Sequence, residues 1–237
     1  MAILCFSGIA AEGCFDAMAG QTLSEQIYNE LFHDITDQRL VCGQKLTLRM
    51  LKDRFNVSHT PIREALMRLA ENGLVTYYSN CGVTVTEFTQ ADIHQLFQFI
   101  GELDAMAITF CQNAYNHVPL LMDLQEVADD TREALEAGDM RRWKNGSDRF
   151  HVVFYTHAQN EYLSNAAANL RAKLEVFSCM YCYQEQNVEI IQKMHGIIHQ
   201  LVRAGDFQKA AAEMRRHLQQ DMAIALKAYA DYQKRNH

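Results

Sequence analysis

The sequence is poor in the residues that interrupt regular structure. It has two prolines and 11 glycines in 237 residues. That is too few for a disordered chain or for a sandwich of many short strands joined by tight turns. Hydrophobic residues make up 49% of the chain, enough for a packed core. The composition therefore favours a globular protein with one large domain or two small ones.

Long apolar runs are also missing. No stretch is long enough to cross a bilayer, and residues 1–20 contain no Lys or Arg, which a secretory signal needs at its start. We expect residues 1–21 to be a disordered tail or a consequence of start-site choice, since Met18 could equally begin the folded part. The seven cysteines are odd in number and irregularly spaced, which is typical of reduced thiols in a cytoplasmic protein.

An excess of positive charge is absent as well. The formal net charge is −7, and residues 22–88 carry seven Lys and Arg against eight Asp and Glu. The chain is therefore not a polycation that would attract nucleic acid through its total charge. Any attraction to DNA has to come from a local patch of donors and cations.

One segment, residues 57–74, combines an apolar helical stripe with a polar front end. Ser58 suits the N-cap position, where its hydroxyl would accept a first-turn N–H, and Pro61 falls in the first turn, where a missing N–H costs nothing. The stripe has three- and four-residue spacing and consists of Ile62, Ala65, Leu66 and Leu69. The opposite face carries His59, Thr60, Arg63 and Arg68. Such a helix fits a DNA major groove, although an ordinary amphipathic surface helix has the same pattern.

The flanking sequence indicates what this helix belongs to. A helix is predicted over residues 22–38, with Thr22 and Glu25 as a capping box and an inner face that begins at Leu23. A second helix is predicted over 48–55, capped by Thr47, and a tight turn then leads to the 57–74 helix. Two short β-branched or aromatic stretches, 74–78 and 83–87, form a predicted hairpin. Residues 22–88 are therefore predicted to be a winged helix-turn-helix domain.

Helical periodicity dominates the remainder of the chain. Helices are predicted near residues 90–115, 119–137, 139–158, 160–184, 187–204 and 206–232, and no convincing strand appears among them. Residues 89–237 are therefore predicted to be an all-α bundle of six or seven helices that encloses its own core. The predicted class is mainly α, with a small winged domain before the bundle.

These motifs, in this order, resemble the GntR family of bacterial transcription regulators. The string from Ser58 to Leu66, S-H-T-P-I-R-E-A-L, is highly specific to that family. The second half resembles the FadR-type C-terminal ligand-binding domain, with Phe150-His151, Asn160, His195, Gly205-Asp206 and His217 in the family's order. The resemblance implies a non-enzymatic, cytoplasmic, ligand-responsive regulator. It would bind a pseudo-palindromic double-stranded DNA operator as a homodimer, without contacting a membrane.

The resemblance also implies which residues contact DNA. Positions where the family contacts DNA are occupied by Arg49, Ser58, Thr60 and Arg63, and His59 stands where many members carry Arg. Arg63 can form two parallel hydrogen bonds with guanine, and the hydroxyls of Ser58 and Thr60 suit phosphate contacts. Gly82 matches the glycine at the wing tip.

In the bundle, the resemblance implies a divalent metal ion, such as zinc or nickel, held by one carboxylate and three histidines. The histidines match His151, His195 and His217. The family places its carboxylate four residues before the first histidine, where this chain has Ser147. Asp148, three residues before His151, is then the candidate carboxylate, since it is still adjacent on a helix.

The effector implied by the resemblance is a small metabolite such as an organic acid, bound near Arg149 and Asn160. Many members pair it with an Arg in the first bundle helix, but residues 97–104 contain none and Ile100 occupies that position. Arg132, Arg142, Arg149 or Arg171 could substitute, or the effector could ligate the metal directly. Two alternatives stay open: a sensor of the metal itself, and a metal-dependent enzyme, although no hydrolase or phosphate-binding motif is present.

Overall fold

The computed structural model describes residues 21–78 and 82–236. Residues 1–20 of the predicted N-terminal tail and residues 79–81 at the hairpin tip lie outside the described residues. Within the described ranges the chain forms nine α-helices and one three-stranded sheet, which confirms the predicted mainly α class with a small winged domain first. No helix in these ranges has the length and apolar character needed to span a membrane.

The chain divides into two compact units. The winged-helix unit contains residues 21–89 together with 169–179, and the bundle unit contains residues 90–168 and 180–236. The sequence interpretation placed all of residues 89–237 in one domain. The structure groups 169–179 with the first unit because the side chains of Ala172 and Val176 are part of that unit's hydrophobic core.

The winged-helix unit contains three helices and all three strands. They are α1 (Leu23–Thr36), β1 (Lys45–Leu46), α2 (Leu48–Phe55), α3 (His59–Glu71), β2 (Val75–Tyr78) and β3 (Gly82–Val85). The sheet is antiparallel with strand order β1-β3-β2, and Leu46 lies opposite Val83. The sequence interpretation missed β1, because two residues carry no periodic signal.

Local chemistry explains how these helices begin and end. The Thr22 hydroxyl accepts a hydrogen bond from the Glu25 amide at 3.3 Å, and the Thr22 amide donates to the Glu25 carboxylate at 2.9 Å, which confirms the capping box. Asn56 ends α2 in the left-handed region at φ 52°, which Asn tolerates better than most residues. The prediction that Leu23 faces the core is wrong: it is 46% exposed, since the packed face of α1 begins at Ile27.

Six helices form the bundle unit, with one of them shared. They are α4 (Gln90–Cys111), α5 (Val118–Glu136), α6 (Met140–His157), α7 (Glu161–Ser178), α8 (Glu185–Arg203) and α9 (Phe207–Asn236). Only the part of α7 up to Ala168 belongs to this unit. α4 packs mainly against α9, α5 against α6, and α8 against α9. This arrangement brings inner faces of α4, α6, α8 and α9 into one interior, where the candidate site lies.

Candidate functional site

The helix α3 separates a buried face from a polar one. Its four predicted apolar residues, Ile62, Ala65, Leu66 and Leu69, are fully buried. Arg63 and the residues at the start of the helix, Ser58, His59 and Thr60, are exposed. Hydrogen-bond donors are thus concentrated at the open N-terminal end of a helix whose back is anchored in the core, which is the arrangement that DNA-reading helices use.

Ser58 occupies the N-cap position without forming the predicted cap. Its backbone is extended, with φ −70° and ψ 169°, but its hydroxyl makes no capping hydrogen bond. Thr47 at the start of α2 does form one, accepting from the Met50 amide at 3.2 Å. The Ser58 hydroxyl is therefore not needed to hold α3 and is open to another acceptor or donor.

Two further predicted DNA contacts are exposed beside α3. Arg49 lies on the outer side of α2, and Gly82 begins strand β3 with φ +89°, a conformation that favours glycine. Arg68 was placed on the same polar face by its spacing, but it turns away. Its guanidinium lies 4.6 Å from the centre of the Tyr28 ring and 4.0 Å from the Glu25 carboxylate, so it stabilises the contact between α1 and α3.

Arg63 borders a cavity of about 560 Å³ in the winged-helix unit. Burial raises the pKa of the Tyr77 phenol, and the positive charge of Arg63 opposes this rise, so the two side chains are neighbours. Sequence reasoning missed Tyr77 and Met67, which are 51% and 55% exposed. Exposed large apolar side chains often mark interaction surfaces, but their exposure is visible only in the tertiary structure. The cavity is lined by Leu46, Thr47, Leu48, Arg63, Leu66, Met67, Tyr77, Gly82 and Val83.

The three histidines singled out by sequence meet inside the bundle unit. His151 comes from α6, His195 from α8 and His217 from α9, and all three are buried. One donor atom from each lies within 4.8 Å of the others, and the Nε2 atoms of His195 and His217 are 3.1 Å apart. Nitrogen atoms bound to one zinc ion lie 2.0–2.1 Å from it. The three imidazole nitrogens are therefore close enough to bind one ion after a small shift of the rings.

A carboxylate that the sequence did not reveal orients the first of these histidines. The Asp104 Oδ2 atom on α4 lies 2.8 Å from His151 Nδ1, and the Tyr155 hydroxyl donates to Asp104 Oδ1 at 2.5 Å. With Nδ1 bound to Asp104, the atom that His151 offers to an ion is Nε2. Metal-binding histidines commonly have such a carboxylate behind them. Asp104 is 47 residues from His151, so no local spacing pointed to it.

A second carboxylate lies behind His217. Asp221, one helical turn further along α9, is buried, and its Oδ1 atom lies 3.6 Å from His217 Nδ1. Neither of these two atoms has a hydrogen-bond partner among the described residues. Burial raises the pKa of Asp221, although the charge of His217 and the Tyr181 hydroxyl act in the opposite direction. Three convergent imidazoles backed by two buried carboxylates fit a divalent ion of the zinc or nickel type.

Asp148, the candidate carboxylate ligand, is not brought into the cluster. Its Oδ2 atom is 2.6 Å from the ammonium of Lys144, and the group of potential metal ligands in the described part of the chain contains the three histidines alone. The neighbouring Ser147 is half-buried and is not part of that group either. The carboxylates close to the histidines come instead from α4 and α9.

The residues predicted to lie near the effector are engaged elsewhere. Arg149 binds Glu126 at 3.2 Å and lies 3.6 Å from Asp130, and the Asn160 side chain accepts from the Leu163 amide at 2.9 Å. Of the other candidate cations, two form ion pairs at the surface and one is buried in the winged-helix unit; these are Arg132, Arg142 and Arg171. None of these residues is brought to the histidines by the contacts described.

Family models match both parts of the chain. Residues 23–85 match the model for bacterial regulatory proteins of the gntR family, and residues 95–220 match the FCD domain. The second match alone covers more than half of the chain.

Curated relatives align over most of their length. The HTH-type transcriptional regulator McbR of Escherichia coli K12 is 26% identical over 213 residues, which cover 88% of this chain and 95% of McbR. The HTH-type transcriptional repressor RspR of the same strain is 25% identical over 200 residues, covering 84% and 87%. Both are regulators by name, as the sequence interpretation expects.

Solved structures show the same fold. The structure of Escherichia coli McbR superposes with a TM-score of 0.72 at 22% identity, covering 89% of this chain and all of that one. A GntR transcriptional regulator from Rhodococcus sp. RHA1 gives a TM-score of 0.71 at 18% identity, covering 87% and 98%. The chain belongs to the GntR family of bacterial transcription regulators, with an FCD domain after its winged helix, and is a regulator rather than an enzyme.

Proposed function

We propose that this regulator binds a pseudo-palindromic operator as a homodimer, and that a small metabolite bound in the bundle controls that binding. The observation that carries the DNA-binding part is the polarity of α3, whose apolar face is fully buried while Arg63 and its neighbours are exposed. A two-fold dimer would present two such helices to half-sites about one helical turn apart. This role places the protein in the cytoplasm.

Each exposed group in the winged-helix unit has a role that suits its chemistry. The planar guanidinium of Arg63 would read a guanine through two parallel hydrogen bonds, and that of Arg49 would pair with DNA beside it. The hydroxyls of Ser58 and Thr60 would bind phosphate oxygens, which position the helix without reading sequence. His59 offers one donor, and Gly82 lets the wing backbone approach the minor groove.

In the bundle unit, His151, His195 and His217 would hold a divalent ion, with zinc or nickel the best fit to three imidazoles. When bound, the ion would offer open coordination positions to an oxygen of the effector. Asp104 keeps the His151 ring in one orientation and tautomer through its 2.8 Å contact. Asp221 stands where it can do the same for His217. We infer that the effector is a small organic acid.

A metal sensor is the alternative, since three buried imidazoles on separate helices would themselves respond to ion binding. The two functions differ in which ligand controls DNA affinity: the metabolite in the first and the metal ion in the second. Operator binding would be compared with and without chelator, in the absence of any metabolite. A large change caused by the ion alone supports the sensor, whereas an unchanged affinity leaves the ion as an anchor for the effector.

The DNA-binding proposal is tested by replacing Arg63 with Ala. After selection of the preferred site from random duplexes, R63A should lose about 1–3 kcal/mol of operator binding, roughly five- to 150-fold, and tolerate more bases at one position of each half-site. Arg132→Ala is the matched control, because it removes the same charge from an exposed ion pair on α5. Equal losses for both variants, or binding without sequence preference in the wild type, would contradict the proposal.

A further inference from the structure

A buried lysine lies in the bundle unit and has no part in the functions described so far. Lys144 is 3% exposed, and its ammonium contacts the Asp148 carboxylate one turn along α6 at 2.6 Å. Lysine is among the residues least often buried, since its charge loses hydration there. Of the described Lys and Arg side chains that belong to the bundle unit, Lys144 alone is classed as buried.

Lys144 faces the same interior as the histidine cluster. It precedes His151 by seven residues, which is two helical turns and about 10 Å along the axis of α6. Asp148 lies on the turn between them, and Tyr155, which binds Asp104, follows on the turn after. One face of α6 therefore carries a continuous row of polar side chains from Lys144 through His151 to Tyr155.

A tyrosine in the turn between α7 and α8 lies near both Asp148 and the carboxylate behind His217. Tyr181 is buried, and burial first, then the negative charges of Asp221 and Asp148, hold its pKa well above the ordinary value. Asp221 in turn lies 3.6 Å from His217 Nδ1. Tyr181 is therefore within electrostatic range of both carboxylates, which places the Lys144–Asp148 pair on the same side of α6 as the histidines, as the seven-residue spacing from Lys144 to His151 also requires.

With the ion bound, this interior contains two cationic groups that an acidic ligand can contact, beside the carboxylates of Asp104, Asp148 and Asp221. Three neutral imidazoles leave a divalent ion with its full charge and with open coordination positions, which attract an acidic oxygen. Lys144 adds a second cation two turns away. Asp148 keeps 26% of its side chain exposed, so its carboxylate can turn toward water if another acid group binds the lysine. The bound ion, and Lys144 once Asp148 turns away, are thus the two cations available to an acidic ligand.

We propose that Lys144 binds the second acid group of a small dicarboxylate effector whose first acid group ligates the ion held by the three histidines. Lys144 then selects diacids over monoacids, a role that Arg132, Arg142 and Arg149, which form ion pairs with other carboxylates, do not fill. This inference rests on the proposed function, because it assumes that an effector binds at the ion.

Calorimetric titration of the zinc-loaded full chain tests the inference, with succinate and glutarate as diacids and butyrate as the monoacid. A charge-assisted hydrogen bond accounts for about a tenfold to hundredfold difference in affinity. Lys144→Met should weaken the better diacid by that factor and leave butyrate unchanged. Asp148→Asn should instead tighten the diacid several-fold, because it removes the acid group that competes for Lys144.

The opposite signs separate this role from a structural one, since a pair that only holds α6 together would give two variants that lose stability and change no selectivity. Arg149→Met is the matched control, and it should bind both acids like the wild type. No binding of either diacid to the zinc-loaded wild type, or equal losses of butyrate and diacid in K144M, would overturn the inference. Zinc and operator affinities, measured on the same samples, show separately whether the proposed function fails.

Discussion

At the scale of single residues, two helical glycines of the bundle differ in the space beside them. A Cβ atom built on Gly146 of α6 would lie 2.5 Å from the Thr131 methyl group of α5, and both residues are buried. A Cβ atom on Gly196 of α8 would meet none of the described residues within 4 Å. Gly146 therefore permits the close approach of α5 and α6, whereas Gly196 serves no packing purpose.

We expect Gly146→Ala to lower the free energy of unfolding by about 1–3 kcal/mol, because the added methyl overpacks the contact between α5 and α6. Gly196→Ala, the matched control, should raise it by up to about 1 kcal/mol, since alanine is the better helix former. Urea unfolding followed by circular dichroism measures both. Stabilisation of equal size in the two variants would show that helix propensity, and not packing, decides.

In the winged-helix unit, the ion pairs of Asp34 with Arg39 and Arg54 make stability depend on pH. Burial alone would raise its pKa, but hydrogen bonds from Arg54 and Arg39 outweigh burial, and the pKa of Asp34 lies below its ordinary value. A carboxylate with a lowered folded-state pKa stabilises the fold above its unfolded pKa. That stability is lost as the pH falls through the folded-state value.

Asp34→Asn should therefore cost about 2 kcal/mol of unfolding free energy at pH 7, and the difference from wild type should shrink as the pH falls below about 4. Urea titrations at pH 7 and pH 3 measure it. Asp37→Asn is the control, since Asp37 also pairs with Arg39 but is exposed, and surface pairs contribute less than about 1 kcal/mol. A pH-independent loss in D34N would point to packing instead.

At the scale of elements, the starts of α2 and α3 differ although both carry a hydroxyl residue at the N-cap. Thr47 accepts the Met50 amide at 3.2 Å, whereas Ser58 forms no cap. The burial of four apolar side chains, rather than a cap, thus holds α3. This difference separates a residue that stabilises its helix from one that is available to DNA.

Thr47→Ala should lower the free energy of unfolding by about 1 kcal/mol, and Ser58→Ala should change it by less than about half of that. Ser58→Ala should instead weaken binding to operator and to random DNA by the same factor, because a phosphate contact carries no sequence information. Chemical denaturation measures the stability of both variants. Fluorescence anisotropy with the operator and with a random duplex measures the two DNA affinities of Ser58→Ala. A stability loss in S58A as large as that in T47A would contradict this assignment.

At the scale of the whole molecule, an ion that binds only the folded protein adds to its stability. Zinc at 100 times its dissociation constant would add about 2.7 kcal/mol, which for a chain of this size corresponds to roughly 5–10 °C in Tm. Chelator should remove this gain, and His217→Ala should abolish it. His157→Ala should retain it, because His157 pairs with Asp123 outside the cluster. Equal zinc-dependent shifts in both variants would rule out a site at the three histidines.

Most elements of this protein were predictable because their signals are local. Hydrogen bonds within a helix join residues four apart, and the apolar stripe of α3 repeats at three- and four-residue spacing, so both can be recognised along the chain. The left-handed backbone of Asn56 is also a local feature, because Asn adopts this conformation more readily than most residues. The specific S-H-T-P-I-R-E-A-L string then indicated the family, and the family models confirm it.

The sequence by itself therefore determined the helices, the winged helix and the identity of the three histidines. Only the tertiary structure decided that Asp104 and not Asp148 lies against His151, that Lys144 is buried, and that residues 169–179 pack with the winged helix. Each of these depends on which faces of distant helices meet. The pairing of helix faces is determined by the burial of apolar surface over the whole molecule. The spacing of residues within one segment therefore does not predict it.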